Sequence, residues 1–409
     1  MRNGRRPSRI RGAVGLVLAT LPLLAAPGAA QDAPAGPRFD IYGFAWLNLG
    51  KQIDQINPDY YDVMRPTQLP SFENEYGADG QIFMGIRPSR LGVQAWFPTA
   101  AGELYTIFEF DLFGSGSLAG ETAFHIRKVW GQLGKFGAGQ NNSSFTDIDV
   151  FPNVLEFWGP NGMVLFRNVQ VRYSPILGES FLNISLERPG ASADQGEYGD
   201  RIELDGIAAK FPVPDLTAQY RSAHHWGYIQ LGGILRRIEW EDVNNDAFDL
   251  SGGATGWGLA LSSNIKAGKN DVLKVQGVYG EGMQNYMNDA PVDIGIQENF
   301  TDPVQPILGV ALPMWSVMAF LDHTWSEKFA SSIGYSTLVV DNSDGQLPSA
   351  FHTGSYAAVN LIYYPVPNML AGIEYVWGQR KNNSDGWTYD DNRVAVSIKY
   401  SFSQVIGGK

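Results

Sequence analysis

The chain has 409 residues, 44% hydrophobic and 18% charged, with 30 Lys+Arg against 42 Asp+Glu and no cysteine. The acidic balance argues against nucleic acid as a partner, and the lack of cysteine excludes disulfides and thiolate metal sites. A helical membrane protein needs runs of about 20 apolar residues, and the only long apolar run is at 12–26.

That run follows Arg2, Arg5, Arg6, Arg9 and Arg11 and ends in small residues. A basic start, a short apolar middle and small residues before a cut make an export signal. Residues 1–30 are therefore read as a signal peptide, cleaved after Ala30. A single membrane anchor is the competing reading, but the run is short for a span. Removing five Arg from 30 leaves 25 basic residues against 42 acids, a charge of about −17. Residues 31–37 read as a short periplasmic stretch, 38–402 as one barrel domain and 403–409 as a tail.

From residue 38 on, apolar and polar residues alternate with period two in one segment after another. The last segment is the clearest. Val394, Val396, Ile398, Tyr400 and Phe402 share one face, and Arg393, Ala395, Ser397, Lys399 and Ser401 the other. Repeated along an exported chain, this pattern implies an all-β, antiparallel transmembrane barrel with one face on lipid and one on a lumen. Tight connections at 98–102, 133–137, 175–179, 224–227, 267–271, 326–329 and 365–368 alternate with long polar ones. The long ones lie at 51–84, 114–121, 146–162, 189–213, 242–253, 283–308, 341–353 and 381–390. Short periplasmic turns and long external loops are the habit of such barrels, so the parse predicts 16 strands with both ends in the periplasm. Segment 201–211 is placed in the fourth external loop, because Pro212 and Pro214 interrupt it and proline is poor in a paired strand. Trp96, Phe97, Trp226, Trp325, Tyr363 and Tyr364 fall beside the tight turns. Trp240, Trp257, Trp315 and Trp377 fall toward the opposite strand ends, as two interfacial girdles require.

Strand phase then selects the lumen side chains. In the third strand Leu104, Thr106, Phe108, Phe110 and Leu112 share a face, which turns Glu109 and Asp111 inward. In the fourth, Phe124, Ile126, Lys128 and Trp130 face out, and His125 and Arg127 face in. The second strand offers Arg90 and Gln94, the sixth Arg172, the eighth Arg221 and the ninth Arg236; later strands offer Lys274, Glu374 and Lys399. Arg presents a planar fork that matches carboxylates, so Arg90, Arg127, Arg172, Arg221 and Arg236 read as an anion-guiding set. The alternative is that they pair with Glu109, Asp111 and the acids of the third external loop and brace the wall. That loop carries Val150, Phe151, Val154, Leu155, Phe157 and Trp158, which need a surface to pack on. Folded into the barrel, it would put Asp147, Asp149, Glu156 and Trp158 at a constriction. Packing at the external rim or against a second subunit is the other possibility. None of the five His stands in a metal or nucleophile constellation, and no cofactor or enzymatic activity is expected.

Several strings resemble those of a known family. Glu109-Phe-Asp-Leu-Phe-Gly114 is followed by Arg127-Lys-Val-Trp-Gly-Gln-Leu-Gly134 and Gly139-Gln-Asn-Asn-Ser143. Then come Phe145-Thr-Asp-Ile-Asp-Val-Phe-Pro152, Gly159-Pro-Asn-Gly162 and Pro214-Asp-Leu-Thr-Ala-Gln-Tyr-Arg221, with the His224-His-Trp-Gly227 turn after them. In order and spacing they resemble the DcaP-like outer-membrane porins. The resemblance implies a 16-stranded homotrimer in outer-membrane lipid, an inward-folded third loop, and passive uptake of small organic anions, notably dicarboxylates. Residues 31–37 leave no room for the N-terminal coiled coil that some relatives carry. Two other functions compete with this expectation. In a general or cation-preferring porin the loop acids would dominate, and a closed barrel would serve as adhesin or scaffold and conduct nothing.

Overall fold

The computed structural model describes residues 36–408. The segment read as an export signal and most of 31–37 lie outside the described residues. The described chain is a closed antiparallel barrel of sixteen strands. In chain order they are β1 (Arg38–Gln52), β2 (Ile82–Gly85 and Arg90–Thr99), β3 (Gly102–Phe113), β4 (Thr122–Leu133), β5 (Phe136–Asn142), β6 (Arg167–Ile176), β7 (Phe181–Glu187) and β8 (Ile207–Lys210 and Asp215–His224). They continue as β9 (Gly227–Asp242), β10 (Gly252–Lys266), β11 (Asp271–Glu281), β12 (Pro313–Ser326), β13 (Phe329–Val340), β14 (Phe351–Tyr363), β15 (Met369–Asn382) and β16 (Thr388–Gly407). Each strand pairs with its chain neighbours, and β16 closes on β1 from Arg38↔Gly407 to Gln52↔Arg393. A closed sheet leaves no unpaired edge, which a lipid-embedded wall requires.

The alternation seen in the sequence is the inside–outside alternation of the wall. Val394, Val396, Ile398, Tyr400 and Phe402 are exposed on the outer face, while Arg393 and Ser397 are fully buried inside. Seven short turns join strands at one end and eight long connections at the other. At the β8–β9 turn Gly227 has φ +140°, and a Cβ there would meet the Asn264 carbonyl oxygen at 1.8 Å, so only glycine closes it.

Three details depart from the sequence reading. Residues 207–210 form the outer end of β8 and pair with Ile207↔Asp242 through Lys210↔Glu239; only 211–214, with its two prolines, breaks the strand. Part of the segment assigned to the loop is therefore wall, and the strand count stays even. The last strand runs past Phe402 to Gly407, because β1 continues opposite it to Arg38. In β4 the register slips between Glu109/Phe110, with Glu109 opposite Lys128 and Phe110 opposite Ile126. This bulge at Arg127 inverts the phase beyond it. Val129 is exposed outside, and Trp130 is buried inside.

The barrel's apolar core lies between its loops and one side of its wall. Residues 143–166, the third loop, bond to strands far around the barrel. Asn153 N–H donates to Asp322 on β12 at 3.1 Å, Leu155 N–H to Glu374 on β15 at 2.8 Å, and Gly162 N–H to Ser336 on β13 at 2.8 Å. Val150, Val154 and Met163 of this loop pack with Met64 and Leu69 of the first loop against Met318, Phe320, Tyr356 and Val376. Full burial of each such aliphatic side chain contributes about 1.5–3 kcal/mol.

Candidate functional site

With the third loop held against β10–β15, an open space remains between it and the opposite wall. This cavity measures about 650 Å³. Its wall side comes from β16, β1 and β2–β6, and its other side from the third loop and residues 285–288 of the sixth. Five cations line it: Arg90 from β2, Arg127 and Lys128 from β4, Arg167 from β6 and Lys399 from β16. Glu109 and Asp111 from β3 face them, with His125 beside Asp111.

The pairing within this cluster is uneven. Arg127 reaches Glu109 at 3.2 Å and Asp111 at 2.5 Å, and Arg90 reaches Glu109 at 3.8 Å. The Tyr42 hydroxyl donates to Glu109 at 2.6 Å. Lys399 lies over the rings of Phe44 and Trp46 at 5.0 and 4.7 Å. Lys128, Arg167 and Lys399 have no carboxylate within ion-pair distance among the described residues. Lys128 is in the lumen because of the bulge at Arg127. Uninterrupted alternation would put it on the lipid face.

The acids of the third loop behave differently from those of the wall. Asp147 accepts from Arg221 at 2.7 Å, Tyr228 at 2.9 Å and Ser262 at 2.5 Å. Asp149 pairs with Arg221 at 2.5 Å. Neither lines the cavity. Glu156 does line it, but its oxygens accept the backbone N–H groups of Met64, Trp158 and Gly159 at 3.0, 3.1 and 2.5 Å. Burial pushes both the Asp147 and the Glu156 carboxyl above their ordinary range. Trp158 lines the cavity with its ring and donates its indole N–H to the Asn288 carbonyl at 2.8 Å.

The five Arg named from the sequence do not form one ladder. Arg90 and Arg127 meet at the cavity. Arg172 bonds to Gln170, Ser185 and the Asn142 carbonyl, outside the cavity lining. Arg221 clamps the third loop, and Arg236 is wholly buried between Asp215 at 3.0 Å and Asp293 at 2.9 Å. Pairing with Glu109, Asp111 or the third-loop acids, the bracing alternative, describes Arg90, Arg127 and Arg221, while Arg236 pairs with Asp215 and Asp293 instead. Arg167, absent from the sequence selection, is the first residue of β6; alternation with the exposed Val169 and Val171 would turn it outward, yet it lines the cavity where the loop rejoins the wall.

The family model described as DcaP outer membrane protein matches residues 69–402. The chain belongs to the DcaP outer membrane protein family. No curated protein matches it in sequence. Among solved structures, this DcaP-family barrel is similar to the outer membrane channel DcaP of Acinetobacter baumannii, with a TM-score of 0.74 and 23% identity over 91% of this chain and 100% of that one. It is also similar to an anion-selective porin from Comamonas acidovorans, with a TM-score of 0.58 and 10% identity over 90% and 100% of the two chains. The trimer form of OmpT from Vibrio cholerae gives a TM-score of 0.53 and 14% identity, again over 90% and 100%. At these identities the structures speak for the fold, and the family match identifies an outer membrane protein.

Proposed function

We propose that the chain is a passive outer-membrane porin that favours small organic anions of the dicarboxylate type and works as a homotrimer. One observation carries this reading: among the described residues Lys128, Arg167 and Lys399 face the cavity without carboxylate partners, while Asp147, Asp149 and Glu156 are engaged by Arg221 or by backbone N–H groups. A pore's field is set by its lining charges, and the overall acidic charge sits elsewhere on the chain. The Arg127 fork, held by Glu109 and Asp111, offers fixed donors to a passing carboxylate at little entropic cost. The spread of cations over β16, β2, β4 and β6 suits a solute with two separated charges better than a monoanion. Solutes move down their gradient, with no covalent chemistry and no cofactor. Residues 1–30 direct export, and the apolar outer faces of the strands meet outer-membrane lipid. The similar porin named for anion selectivity and the trimeric OmpT give support by analogy only.

The test is planar-bilayer recording of the refolded protein under a salt gradient, with succinate then added. The reading expects three equal conductance steps, an anion-favouring reversal potential and concentration-dependent block by succinate. A cation-favouring reversal potential would overturn the anion preference, and the absence of any conductance would favour a closed barrel.

A further inference from the structure

The sixth loop reaches into the barrel mouth at residues 287–289 and holds two other loops at once. Asn288 grips the third loop. Its side-chain N–H₂ donates to the Trp158 and Pro160 carbonyls at 2.8 and 2.9 Å, its backbone N–H donates to Met163, and its carbonyl takes the Trp158 indole N–H at 2.8 Å. The next residue, Asp289, grips the first loop. Its carboxylate receives Arg65 Nε at 2.9 Å, Arg65 Nη2 at 2.9 Å, the Thr67 N–H at 3.0 Å and the Thr67 hydroxyl at 2.5 Å. The Asp289 side chain is 0% exposed and that of Arg65 14%. The Arg65 guanidinium then lies in the corner of two near-perpendicular rings, 4.4 Å from the centre of Tyr60 and 4.2 Å from Trp158.

We infer that the Arg65–Asp289 pair is a positioning device for the channel, fixing the Trp158 ring as a rigid edge of the constriction. A buried carboxylate with four donors is held in place by charge-assisted hydrogen bonds, and a guanidinium over a ring face adds a directed electrostatic attraction. The charges cancel within the pair, so it sets aperture and steadiness of current rather than the sign of selectivity. The indole N–H bond to Asn288 locks the remaining rotation of the ring.

The inference rests on the chain being an open channel, and its test is kept separate from the question of anion preference. Arg65→Gln with Asp289→Asn removes the ion pair at constant net charge. In single-channel recordings this double variant is expected to lose the steady open level of the parent and show excess open-channel noise. In liposome swelling it is expected to admit neutral sugars larger than the parent's limit. Trp158→Phe keeps a ring but lacks the indole N–H, and it should reproduce the noise if the double variant does not fold. An unchanged noise level and sugar limit in a folded variant would overturn the inference. A parent channel without anion preference would overturn the proposed function and leave this inference standing.

Discussion

Replacing Lys128 and Arg167 with Gln tests the channel's charge logic directly. Both line the cavity and neither has a carboxylate partner among the described residues, so the change removes field without orphaning an acid. For an ion about 6 Å from a lining charge, at the dielectric of water, Coulomb's law gives about 0.7 kcal/mol per charge pair. Losing two cations therefore weakens a monoanion's residence by about 1.4 kcal/mol, or about tenfold. A dianion loses about twice that energy, or about a hundredfold. Salt reduces both effects, since the Debye length is about 10 Å at 0.1 M. The assay is bilayer recording at low salt, comparing reversal potential in chloride with the succinate concentration for half block. The reversal potential should move toward zero, and succinate block should weaken by far more than chloride selectivity does. Equal loss for both ions, or no shift at all, would refute the assignment of these cations to the conducting path.

Arg236→Gln should strip the counter-charge from buried Asp215 and Asp293 and cost about 3–5 kcal/mol, read as an earlier heat-modifiability transition. Adding Asp215→Asn and Asp293→Asn should recover part of that loss. A Cβ on Gly372 would stand 2.6 Å from the Leu155 Cδ1 methyl of the third loop and 3.0 Å from the Leu361 carbonyl oxygen, so Gly372→Val should displace the Leu155 side chain into the passage and lower single-channel conductance. Glu156 supplies a pH dependence. Burial raises its carboxyl above the ordinary 4.5, so the docked loop binds its proton more tightly than the unfolded chain does. Docking should be strongest below that value and weaken as pH rises through the raised one, seen as faster amide exchange at residues 154–159. Glu156→Gln should flatten the profile.

The wall was legible because period-two alternation reports directly on which side of a sheet a residue lies, as the exposed Val394–Phe402 face shows. The bulge at Arg127 was not legible from alternation, yet it left a trace. A lysine on the lipid face costs about 2–4 kcal/mol near the bilayer midplane, so Lys128 beside Arg127 was an expensive outward assignment. The apolar run at 150–158 announced that the third loop needs a surface. Which surface depends on Asp322, Glu374 and Ser336, residues whose pairing with the loop no local pattern encodes. The same holds for Asp289 and Arg65, joined only by the closed wall. The prolines at 212 and 214 correctly marked a break, but chain pairing resumed on its outer side.

The way the third loop is anchored has a consequence for how such channels diversify. Glu374, Ser336 and Asp322 hold it by its backbone amides, and Asn288 holds it largely by carbonyls. A grip on the main chain does not read the identity of the side chains it holds. A position such as Ile148, exposed at the passage, is therefore free to mutate while the loop stays seated. A protein on this scaffold can change the chemistry of its passage face by single substitutions, without first passing through a misassembled barrel.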